Sequence, residues 1–69
     1  MSDNYIKFIR ELKRKTYGMG MKQIADVLLV GPASVYAYMN YKSVMSAETL
    51  LRAAQKFGID ISLLLGVSE

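Results

Sequence analysis

At 69 residues the chain has room for one domain, residues 1–69, near the lower size at which a hydrophobic core holds unaided. With 52% hydrophobic residues against 22% charged it reads as a folding chain rather than a disordered one. It contains neither cysteine nor histidine, which excludes a disulfide framework and thiolate or imidazole metal sites, and removes the commonest general base. The net charge of +3 is unevenly spread: residues 1–45 hold seven Lys or Arg against three Asp or Glu, and residues 46–69 hold two against three. Positive potential therefore belongs to the N-terminal two thirds, as expected of a surface that faces a polyanion.

In chain order the elements read as helices with brief punctuation between them. Asp3 or Asn4 caps a first helix that runs to Thr16 or Tyr17. At about 100° per residue, Tyr5, Phe8, Ile9 and Leu12 share one stripe, and Lys7, Arg10 and Arg14 the opposite one. Gly18 suits the left-handed position beyond its end. A short second helix, about Met21 to Leu28, turns Ile24, Ala25 and Leu28 inward.

Leu29-Val30-Gly31-Pro32 is the sharpest local signal. A proline is tolerated in the first turn of a helix, where its missing N–H would have no intrahelical partner, and it pushes the residue before it out of the α region. The second helix must then stop by about Leu29 and a third must start at Pro32, running to about Asn40. Val35 and Tyr38 form its inward pair, leaving Ala33, Tyr36, Ala37 and Asn40 outward.

After a loop from Tyr41 to Met45, Ser46 caps a fourth helix with Glu48 in its first turn. That helix runs to about Lys56, burying Leu50, Leu51, Ala54 and Phe57, and Gly58 ends it. Asp60 caps a last helix, Ile61 to Leu65, which Gly66 closes. Nothing alternates long enough to make a strand. The longest apolar runs, Val27 to Val30 and Leu63 to Leu65, fall far short of the roughly 20 residues a membrane span needs, so a cytoplasmic product is expected.

Three stretches resemble one family: Gln23-Ile24-Ala25-Asp26-Val27-Leu28, Val35-Tyr36-Ala37-Tyr38-Met39-Asn40 and Glu48-Thr49-Leu50-Leu51-Arg52-Ala53-Ala54. With Gly58-Ile59-Asp60-Ile61 and Leu64-Leu65-Gly66 they are similar to the lambda-repressor-like helix-turn-helix domains of the phage Cro and CI group, also called the XRE family. The resemblance implies an all-α, compact five-helix domain whose second and third helices form the helix-turn-helix, and a transcriptional regulator whose partner is double-stranded operator DNA. Carried over by position, it implies that Pro32, Ala33, Ser34, Tyr36 and Ala37 face base edges. Arg14, Met21, Lys22, Asn40, Lys42 and Ser43 would meet the sugar-phosphate backbone. Apolar Leu63 and Val67, together with Met39, point to a homodimer built on the C-terminal helix.

Two departures matter. Relatives often carry Thr-Gln where this chain has Gly20-Met21, and glycine where it has Leu29. A left-handed leucine there would cost roughly 1 kcal/mol or more, unless the turn takes another shape. The base-facing set also contains no Gln, Asn, Arg or Lys, so readout must lean on apolar contact, one tyrosine hydroxyl and DNA shape. That poverty keeps open a second function, a protein-interaction module (antitoxin or adaptor) on the same fold. Enzyme chemistry is not expected, because six dispersed acids and unactivated serines assemble no nucleophile–base pair or metal cluster. No cofactor is expected either.

Overall fold

The structure, a computed structural model, describes residues 2–62. Among them stand four helices, where the sequence predicts five in the whole chain, and no strand: α1 (Asp3–Lys15), α2 (Met21–Leu28), α3 (Pro32–Met39) and α4 (Ala47–Phe57). The expected last helix, Ile61 to Leu65, falls largely outside the described residues, as do Leu63 and Val67. What precedes it is in place, since the Asp60 carboxylate accepts a bond from the Ser62 N–H at 2.9 Å. That bond holds the Asp60 carboxyl below the usual range.

The cap of α1 is Ser2, one residue before Asp3, and its hydroxyl accepts from the Tyr5 N–H at 3.2 Å. Tyr5, Phe8, Ile9 and Leu12 are buried on the stripe that their spacing predicts. Lys13, Arg14 and Lys15 fill the last turn, where cations complement the helix dipole. Beyond it the buried Thr16 hydroxyl donates to the Leu12 carbonyl at 2.8 Å, and Gly18 takes φ 88°.

Helices α2, α3 and α4 end alike. One residue turns left-handed, and the N–H after it bonds back to a carbonyl five residues earlier: Val30 to Ala25, Lys42 to Ala37, Ile59 to Ala54. At the end of α4 that residue is Gly58, with φ 67°. At the ends of α2 and α3 it is Leu29, with φ 59°, and Tyr41, with φ 58°. Both pay the Cβ penalty of about 1–2 kcal/mol that glycine escapes.

The core lies where α2 and α3 pack on each other and on α1 and α4. Ile24, Ala25 and Leu28 face it from α2. From α3 come Val35 and Met39, which corrects the expected pairing of Val35 with Tyr38 and the surface role of Met39. A side chain four residues on lies nearly above the first, so Met39 follows Val35 inward while Tyr38 sits half-buried at the edge. From α4 the buried residues are Thr49, Ala53 and Ala54, with Leu50 and Phe57 packed at the margin.

Leu51, expected inside, is 51% exposed. It lies 100° round from Leu50, on the side away from Thr49 and Ala53. Small Ala25, Ala53 and Ala54 are buried where α2 packs on α4, which lets the two backbones approach closely. Arg52 ties that contact at its edge: one guanidinium nitrogen donates to the Leu28 carbonyl at the end of α2 (3.1 Å) and another to Glu48 (3.0 Å).

The loop after α3 is anchored by Tyr5. Its hydroxyl donates to the Ser43 carbonyl at 3.4 Å and accepts from the buried Met45 N–H at 3.1 Å. Met45 and Ile59, both outside the helices, complete the core.

Two outcomes test this description. Leu29 is 73% exposed, so Leu29→Gly gives up little burial and relieves its φ. Allowing for the wider freedom of an unfolded glycine, it should stabilise by about 0.5–1 kcal/mol, read as a melting temperature raised by several degrees. Tyr5→Phe leaves the Met45 N–H without a partner and should cost about 1–3 kcal/mol in denaturant unfolding at neutral pH.

Burial pushes the Tyr5 hydroxyl above its ordinary value, against the opposing bond from Met45. A group whose folded pKa is raised supports the fold below its unfolded pKa. That support is lost as pH rises above about 10. The native chain should therefore lose stability in that alkaline range, and Tyr5→Phe should lose less.

Candidate nucleic-acid interface

The turn between α2 and α3 is three residues long, Leu29 to Gly31. Leu29 is left-handed and Gly31 extended (φ −78°, ψ 154°), and Pro32 then supplies the first residue of α3. So short a turn leaves the outer side of α3 uncovered among the described residues: Pro32, Ala33, Tyr36 and Asn40 are exposed, and Ser34 and Ala37 are half-buried. Of the residues expected to face base edges, none is buried.

The starts of the four helices differ in kind. Serine hydroxyls, Ser2 and Ser46, accept first-turn N–H groups of α1 and α4. Helices α2 and α3 begin at Gly20 and Gly31, and no side chain caps their first-turn N–H groups. The Gln23 carbonyl oxygen instead reaches back to the Gly20 N–H at 2.9 Å. That is half of a capping box; a Gln three residues after the cap is its signal in the sequence. First-turn N–H groups without a side-chain acceptor favour an anion in front of them.

The residues expected on the DNA backbone divide into those the fold gathers and those it does not. Met21 and Asn40 meet at an open cleft between α1, α2 and α3, which Lys13 also lines. Lys42 reaches over the Tyr36 ring, with its ammonium 5.5 Å from the centroid. Lys13 sits 4.7 Å from the centre of the Tyr41 ring. Two cations thus bracket the C-terminal end of α3, each held against a tyrosine face. Lys13 was not among the expected contacts. Its signal is its place in the last basic turn of α1, one residue before Arg14.

Lys22 and Ser43 are exposed, and the Ser43 backbone carbonyl is already used by Tyr5. Arg14 is paired with Glu11 one turn earlier on the same helix, its Nε donating to Glu11 Oε1 at 3.1 Å. That partner holds the Glu11 carboxyl below its usual value and raises the Arg14 guanidinium. Asn40 donates its side-chain amide to the Tyr36 carbonyl at 2.8 Å, closing the end of its own helix.

Among the described residues no group of three or more Asp or Glu is placed to hold a metal ion. No helix among them is long and apolar enough to cross a membrane.

Asn40→Ala should cost about 0.5–1 kcal/mol in chemical denaturation with an unchanged m value, because it removes one exposed bond at a helix end and nothing from the core.

Comparison with known protein families, with characterised proteins and with solved structures returns no match.

Proposed function

We propose that the chain is a DNA-binding protein of the helix-turn-helix kind, a transcriptional regulator that resembles the Cro and CI repressors and lays α3 in the major groove of its operator. One observation carries the reading. A short helix that follows a three-residue turn has its outer side exposed while two lysines flank its far end. The B-form major groove is about 12 Å wide and admits one α-helix edge-on. In that pose Pro32, Ala33, Ser34, Tyr36 and Ala37 lie toward base edges. The N–H groups at the starts of α2 and α3 meet phosphates, as do Lys13, Arg14, Lys22 and Lys42.

Repression follows from occupancy, since a bound domain excludes polymerase from the sites it covers. A homodimer fits a two-fold operator with half-sites one turn, about 34–36 Å, apart. Leu63 and Val67, apolar where an isolated domain would more often be polar, would supply its interface.

The adaptor reading has its own support. Leu29 and Leu51 are exposed at 73% and 51%, as an interaction module would have them. Mobility shift on a random duplex across a range of salt separates the two. A DNA binder loses affinity as a power of salt concentration, with a slope of about 0.9 per phosphate contacted, whereas an adaptor shows almost no binding at any salt concentration.

Arg14→Ala should lower that slope by about one unit on selected and random duplexes alike. Glu11→Gln, which frees Arg14 and removes a nearby negative charge, should tighten binding to both. A loss confined to one operator base in Arg14→Ala would contradict a phosphate role.

A further inference from the structure

We infer that this chain recognises thymine by its 5-methyl group, with Ala33 and Ala37 as the residues that touch it. The inference rests on the DNA-binding reading and names what α3 selects. The outer side of α3 offers methyl and methylene groups from exposed Pro32 and Ala33 and half-buried Ala37, the ring and hydroxyl of Tyr36, which is 52% exposed, and the hydroxyl of half-buried Ser34. It offers no guanidinium, and its one amide is engaged.

The Asn40 amide nitrogen is turned back onto the Tyr36 carbonyl at 2.8 Å. The side-by-side oxygen and nitrogen that a bidentate adenine contact uses are therefore not presented to the groove. The Lys42 ammonium, which could address guanine, lies over the Tyr36 ring. The N-cap of α3 is Gly31, so no cap hydroxyl extends that end either.

Each base pair shows the major groove a set of donors and acceptors, and thymine alone adds an apolar group. The methyl groups of Ala33 and Ala37 gain nothing from the polar atoms and desolvate the 5-methyl group favourably. Ala33 and Ala37 are four residues apart on one face. Close approach is open to them because neither carries atoms beyond Cβ.

The probe is a duplex recovered by selection from a random pool, compared with the same duplex made with deoxyuridine in place of thymidine. Each methyl lost from the contacted half-site should weaken binding about fourfold. The salt slope should stay unchanged, since the phosphate contacts remain. Equal affinity for the two forms would overturn the inference and leave DNA binding standing. Absence of binding to every duplex at low salt would remove both.

Ala33→Ser changes an exposed position, and should keep the melting temperature and the salt slope while losing the thymidine–deoxyuridine difference at one base pair. A variant that retains the full difference overturns the assignment of that contact to Ala33.

Discussion

The position of α3 depends on two residues whose backbones are left-handed without being glycine. Leu29 ends α2 and Tyr41 ends α3, and both hold φ near 60°. Each reversal is closed by a backbone bond to the helix just finished, from Val30 to Ala25 and from Lys42 to Ala37. Between them α3 buries only Val35 and Met39. Two side chains are a small hold for an eight-residue helix, so the direction of α3 is set as much by the turns at its ends as by the core beneath it.

The rest of the fold can be read as support for those turns. Arg52 on α4 gives the Leu28 carbonyl a donor just before the first reversal. Tyr5 on α1 grips the backbone at Ser43 and Met45 just after the second. Strain in backbone geometry persists where surrounding contacts over-determine it, and it gathers at places that must keep a particular shape. Here it brackets a helix whose outer side the fold leaves open. Helices α1 and α4, capped by serines and carrying six of the thirteen buried hydrophobic residues, act as the frame.

Much of this was legible in the residues. The limits of α2 and α3 followed from Pro32 and from the spacing of Ile24, Ala25 and Leu28, because a proline and an amphipathic stripe are local constraints. The left-handed Leu29 could be expected from its place in the turn, though only as one of two shapes. What escaped depended on long-range packing. Whether Tyr38 or Met39 follows Val35 inward, and whether Leu51 or Thr49 lies beneath α4, is a matter of small helix rotation that hydrophobicity cannot decide between neighbouring residues. Met45 and Ile59 gave no periodic signal because they enter the core from loops.

At the candidate interface, the exposure of the outer side of α3 followed from helical phase, but the pairing of Arg14 with Glu11 and the inward turn of the Asn40 amide are choices of side-chain rotamer. Lys13 was hidden by its neighbours, since a run of three cations does not say which of them reaches an aromatic ring.

The separation of the open side of α3 from its buried pair has an evolutionary consequence. Pro32 and Asn40 aside, exchanging the residues that point away from the protein leaves Val35, Met39 and both turns untouched. The frame can then carry different faces at little penalty in folding. A chain built this way changes its outer surface by swapping a handful of codons, and keeps the scaffold that presents it.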